Sequence, residues 1–157
     1  MNISAYAIEQ LLYSWRFTCG DSILVPNVVY PWECDFVGVT KAGYAHEFEI
    51  KVSRSDFKAD FKKDKHAFIT GEREYTWKIS RPAYLWFVAP FEMVTLDEVP
   101  EYAGLIYVSA NGKFLQEMRR PKKIHNEKVS DKYRMKLLQS MMYRFWQVRR
   151  QLKGVNQ

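Results

Sequence analysis

The sequence predicts an α/β fold in which a mixed β-sheet is flanked by helices and followed by a long C-terminal helix. Strand-like and helical periodicities alternate in the order α-β-β-β-α-β-β-β-α, which implies helices packed on a sheet. Two strand-like segments meet at the short turn Lys41-Ala42-Gly43, so they form an antiparallel hairpin. The continuous apolar run Tyr84 to Ala89 follows a helix and reads as a buried central strand parallel to a neighbour. A length of 157 residues is that of one domain, spanning 1–157, with room for a sizeable core.

The elements follow in order. Residues 4–17 read as the first helix, with Ser4 as cap and Ile8, Leu11, Leu12 and Trp15 as its apolar stripe. Residues 22–30 look extended, and Pro26 assigns them to an edge or a break. Strands are expected at about Trp32 to Val39 and Tyr44 to Val52. Residues 53–69 read as one helix, with Ser53 or Ser55 as cap, Phe57, Phe61 and Phe68 on a buried face and Lys58, Lys62 and Lys65 on a basic stripe. Residues 70–82 form a connecting loop, in which Tyr75 and Trp77 are candidates for stacking on unpaired bases. After the central strand, Leu105 to Ser109 and Lys113 to Met118 pair across the strong turn Asn111-Gly112. The last helix spans 130–153, with Leu138, Met141, Met142, Phe145, Val148 and Leu152 on one stripe and seven Lys/Arg over the rest. That stripe packs on its own domain, pairs with a second copy as a homodimer, or lies near DNA.

No apolar run reaches the roughly 18 residues of a membrane span, so no membrane partner is expected. The N-terminus lacks a signal-peptide pattern, and Cys19 and Cys34 form no disulfide framework. Both point to a cytoplasmic protein. Charge is divided unevenly. Residues 1–112 hold 11 Lys/Arg against 15 Asp/Glu, and residues 113–157 hold 13 against 3, within an overall charge of +6. An acidic cation site joined to a basic region suits a polyanion.

The chemistry concentrates in the hairpin. Strand side chains alternate faces, so Glu47, Glu49 and Lys51 share one face and Phe48, Ile50 and Val52 the other. Glu33 and Asp35 share a face of the preceding strand. Pairing these faces brings Asp35, Glu49 and Lys51 together, with Glu33 and Glu47 as neighbours rather than ligands. Carboxylates at that density repel unless a cation relieves them. A hard divalent ion with oxygen ligands is the natural relief. Asp35 and Glu49 would be ligands and the Ile50 carbonyl a third. Lys51 would orient or deprotonate a water, or stabilise a charged transition state. A solvent-facing strand surface carries the same alternation.

The stretch Asp35…Glu49-Ile50-Lys51 resembles the core motif of the PD-(D/E)xK, or restriction-endonuclease-like, nucleases. Aspartate lies on one hairpin strand and E-x-K on the next, followed by a helix and an apolar strand. Cys34 stands where the family name has proline. The run Lys51 to Asp60 with Lys65-His66, the segment Pro100 to Val108, and Arg119 to Lys122 resemble small bacterial and phage members linked to DNA repair. In the archaeal Holliday-junction resolvase branch a glutamate of the first helix completes the metal site, and Glu9 matches it. The resemblance covers roughly residues 4–125 and leaves the last helix unassigned. It implies Mg2+ (or Mn2+) held by Glu9, Asp35, Glu49 and Ile50, catalysis by Asp35, Glu49 and Lys51, and hydrolysis of DNA phosphodiesters in repair, recombination or phage DNA metabolism. Candidate DNA contacts are Ser53, Lys58, Lys62, Lys65, Arg119, Arg120, Lys122 and Lys123. The alternative is a nucleic-acid-binding module on the same fold without catalysis.

Overall fold

A computed structural model describes residues 3–73 and 82–154. Tyr75 and Trp77, the candidates for base stacking, lie outside these residues. Helix α1 spans Ala5–Thr18, and the Ser4 hydroxyl accepts a bond from the Ala7 amide at its start. Six strands follow in one open sheet: β1 Ile23–Val28, β2 Cys34–Val39, β3 Ala45–Ile50, β4 Tyr84–Pro90, β5 Ala103–Val108 and β6 Leu115–Arg119. Their spatial order equals their chain order. The β1-β2-β3 and β5-β6 pairings are antiparallel, while β3-β4-β5 run parallel. Pro26 is accommodated within β1 because β1 is an edge strand.

The expected helix over 53–69 is two short ones, α2 Arg54–Asp60 and α3 Lys65–Ile69, with a break between them. No proline or glycine marks that break. Asp60 closes α2, a place where a helix C-terminus disfavours a carboxylate. The chain turns there so that Lys63, Lys65 and His66 reach it. Phe57 is buried as expected, but Phe61 is half exposed, because α3 leaves the line of α2.

The sheet is covered on both faces. On one, Ile8 and Leu12 of α1 meet Phe36, Phe48, Ile50, Trp86, Val88 and Ile106. On the other, Phe57 and Ile69 lie against Leu85, Phe87 and Leu105. Further along that second face, Val129, Tyr133 and Leu137 lie against Val25, Val37 and Val39. Tyr133 and Leu137 belong to the last helix, α4 Asp131–Gly154, and are its buried residues. The remainder of its apolar stripe is exposed, so it is not core of its own chain. Val52, placed on the core face by alternation, lies beyond the end of β3 and is also exposed. Among the described residues no helix is long and apolar enough to cross a membrane.

Candidate functional site

The hairpin register decides which carboxylates meet. Phe36 stands opposite Phe48 and Val37 opposite Glu47. Continued by one residue, this puts Asp35 opposite Glu49. Asp35 Oδ2 accepts a bond from the Ile50 amide at 2.7 Å, which ties it across to β3. Asp35 and Glu49 line a cavity of about 230 Å³ together with Glu33, Lys63, Asn27 and Val29. Asn27 falls between the Pro26–Phe36 and Val28–Cys34 pairs and lines the same cavity as Asp35. Asn27 adopts a left-handed φ of 49°, which asparagine tolerates better than most residues. Its amide donates to Glu9 Oε1 at 3.4 Å. Burial raises the Glu9 pKa, and the nearby Asp35 charge adds to that rise. Of the predicted residues, Asp35 of β2 and Glu49 of β3 share the cavity, and Glu9 of α1 comes near Asp35 through Asn27.

The E-x-K segment is not a solvent face. Glu49 is 1% exposed and Lys51 2%. The face that carries Glu47 and Glu49 also carries the cluster beneath α2 and α3, so their alternation marks a buried ion network. Lys51 Nζ donates to Glu49 Oε2 at 3.0 Å and to Asp60 Oδ1 at 2.9 Å. Lys65 donates to the other Glu49 oxygen and lies 3.7 Å from Glu47. Trp32 Nε1 donates to both Glu47 oxygens, at 3.0 and 2.9 Å. Asp60 Oδ2 lies 2.8 Å from His66 Nε2, and His66 Nδ1 lies 3.0 Å from the Tyr102 hydroxyl. Among the described residues no buried side-chain nitrogen or oxygen lacks a partner.

Electrostatics follow from this packing. Burial pushes the Glu47 carboxyl up to about 7, with Lys65 opposing. Burial raises Glu49 as well, again against the pull of Lys65. For Lys51, burial favours the neutral amine, but the Glu49 and Asp60 carboxylates outweigh it and raise the pKa. Lys65 is raised in the same way by Glu47 and Glu49. Burial would raise Asp60, yet the His66 bond and the Lys65 and Lys51 charges hold it well below the usual carboxylate range.

Several predicted contacts must be corrected. Lys65 is buried on Glu49 and cannot continue an exposed stripe with Lys58 and Lys62. His66 is buried against Asp60. Glu47, read as a neighbour, belongs to the buried network. Arg119 bonds the carbonyls of Val99, Pro100 and Ala103 and so ties β6 to the β4-β5 connection instead of facing a ligand. Ser53 caps α2 through the Asp56 amide. Lys58, Lys62, Arg120, Lys122 and Lys123 remain exposed. Arg120 pairs with Glu117, Lys122 with Glu101, and Lys123 lies 3.9 Å above the Tyr44 ring. Sequence reading missed Asp60 and Lys63 as members of the site. Asp60 has no signal of its own in the sequence, because nothing in residues 61–64 marks the end of α2.

The donor chemistry suits a hard divalent cation, since the carboxylates of Glu33, Asp35 and Glu49 line one cavity. Their present positions do not form a closed ligand set. Among the described residues no three His, Cys, Asp or Glu side chains stand close enough to share an ion. Both Glu49 oxygens are occupied by ammonium groups, so a cation there would displace one of them.

No protein-family model matches the chain, and no curated protein matches it. Its fold is similar to the solved structure of a protein of unknown function from Silicibacter pomeroyi. The TM-score is 0.63 at 19% identity, over 98% of this chain and 97% of that one.

Proposed function

We propose that the chain is a metal-dependent deoxyribonuclease of the restriction-endonuclease-like class, with DNA as its substrate and phosphodiester hydrolysis as its reaction. The observation that carries this reading is the meeting of Asp35 and Glu49 at one cavity, with Glu9 held near Asp35 through Asn27 and the Lys51 ammonium 3.0 Å from Glu49. Glu9, Asp35, Glu49 and the Ile50 carbonyl would hold Mg2+ or Mn2+, which polarises a phosphoryl oxygen and acidifies water when bound. Lys51, an ammonium fixed between two carboxylates, would stabilise negative charge that develops in the transition state. Asp60 positions Lys51. Ser53, Lys58, Lys62, Arg120, Lys122 and Lys123 would follow the phosphate backbone, with Lys63 at the cavity itself. Repair, recombination or phage DNA metabolism are the settings that fit such an activity.

The test is a panel of labelled duplex, nicked, branched and single-stranded DNAs, with and without Mg2+. Asp35→Ala and Lys51→Ala should each abolish Mg2+-dependent cleavage, and unchanged cleavage by both would overturn the reading. Metal binding has a separate readout. Because Lys65 holds one Glu49 oxygen, Lys65→Met should tighten Mn2+ binding measured by calorimetry, and weaker binding would remove the proposed competition.

A second reading is favoured by one observation: both Glu49 oxygens are already satisfied within the chain. On that reading the protein binds nucleic acid without cutting it. It predicts salt-sensitive binding that ignores Mg2+ and Asp35→Ala alike.

A further inference from the structure

We infer that α4 is a homodimer seam, on which the exposed apolar stripe of one copy packs against the same stripe of a second copy of this chain. The stripe is placed to face outward. Tyr133 and Leu137 are buried on the sheet, and Arg144 donates to the carbonyls of Pro26 and Asn27, which pins that same helix face down. Leu138, Met141, Phe145, Val148 and Leu152 lie roughly 80° round the helix from that face, at 3.6 residues per turn. All five are exposed, Phe145 at 56% and Leu152 at 65%.

Their spacing specifies the partner. The steps are three, four, three and four residues, the a/d repeat of a two-helix seam. One step towards the N-terminus the same register falls on Arg134, so the seam begins at Leu138. A stripe of this period is self-complementary, as a two-fold pairing requires. Met135, Met142 and Trp146 widen it on the side away from the sheet, and each is more than half exposed.

Area supports the same partner. Eight large side chains left about half exposed, at roughly 150–250 Å² each, amount to on the order of 800 Å² on one helix face. That exceeds the roughly 300–600 Å² of the largest apolar patch on a typical monomer. A pairing that covered all of it would reach the roughly 800 Å² each partner gives a standard interface. Charge is compatible too. Lys132, Lys136 and Arg150 point to the opposite side from the seam, so pairing leaves them in solvent, and Arg149 lies over the Phe145 and Trp146 rings at the seam's edge. A phosphate backbone gains nothing from the five seam residues, which offer it no donor.

This inference does not depend on the nuclease reading, and its test uses neither DNA nor metal. Sedimentation of the full chain over a wide concentration range should give twice the 18.7 kDa chain mass, falling towards 18.7 kDa on dilution. Phe145→Glu and, as a second variant, Leu138→Glu should be monomeric, with circular dichroism and dilute-solution melting unchanged. Gln139→Glu, exposed on the side away from the seam, should remain dimeric. A wild-type monomer at every concentration overturns the inference, as does a dimer that survives both seam variants. A wild-type monomer that co-sediments with phosphatidylglycerol vesicles also overturns it, assigning the stripe to an anionic membrane surface.

Discussion

Beneath α3, Glu47, Glu49, Lys51, Asp60, Lys65 and His66 are buried against the sheet, while along α4 leucine, methionine, phenylalanine and tryptophan stand in solvent. Each region inverts the usual distribution of side chains. They differ in where the compensation lies. The charged interior is satisfied within the chain, since each carboxylate there meets a donor from α3, β3 or Trp32. Along the α4 stripe the Arg149 guanidinium lies over the Phe145 and Trp146 rings, yet both stay more than half exposed. A buried ion network costs desolvation and is kept where specificity or chemistry needs it. An exposed apolar stripe costs hydration until something covers it. The first region is thus complete in one molecule, and the second is not.

Breaking the complete region should have the largest effect. Asp60 accepts from Lys51, Lys63 and His66 at 2.9, 2.9 and 2.8 Å. Asp60→Ala leaves several buried or half-buried donors unpaired, and removing one partner of such a network costs about 3–5 kcal/mol. Urea unfolding should report that loss equally at low and high protein concentration. A change below 1 kcal/mol, on the order of a surface ion pair, would mean that water reaches the network.

Adjacent leucines sharpen the contrast. Leu137 is 2% exposed and Leu138 46%. Leu137→Ala should cost about 2–5 kcal/mol through the cavity it leaves, whatever the concentration. Leu138→Ala should cost less than about 0.5 kcal/mol in dilute solution and more as concentration rises, because binding to the native state adds stability by mass action. Equal, concentration-independent losses would erase the distinction between the two faces of α4.

Much of the fold was legible because it is local. The turn Lys41-Ala42-Gly43, the run Tyr84 to Ala89, Asn111-Gly112 and the α4 period each carry their own signal. The pairing of Asp35 with Glu49 was legible too, since a short hairpin fixes register by counting. What escaped depends on distant neighbours. Glu47 and Glu49 alternate with Phe48 and Ile50 as a half-exposed strand would, and only the placement of α3 over them makes the face an interior. Residues 61–64 contain nothing that forbids a helix; the break comes from Lys63, Lys65 and His66 turning to Asp60. Arg119 looked like part of a basic loop because the carbonyls it bonds lie 16 to 20 residues earlier. Glu9 came from family resemblance alone, as periodicity says nothing of which strand a helix residue will approach.

The smallest effect concerns the opposite face of the sheet, where His46 is packed among aromatics. His46 stacks on Tyr84 at 4.4 Å, and its Nδ1 accepts the Trp86 indole N–H at 3.0 Å. Burial, helped by the Arg16 charge, pulls its pKa from the ordinary 6.5 down to about 3. Between those values the unfolded chain binds a proton that the folded chain refuses. Stability therefore falls as pH drops from 6.5 towards 3, and is unaffected by His46 above 6.5. His46→Gln keeps an acceptor for Trp86 but cannot titrate. Its unfolding free energy should follow wild type above pH 6.5 and decline less steeply below it. The depressed Asp60 contributes its own acid loss to both proteins, at lower pH, and cancels in the comparison. Parallel slopes throughout would show that His46 is protonated in the folded state, and that water enters this face of the core as well.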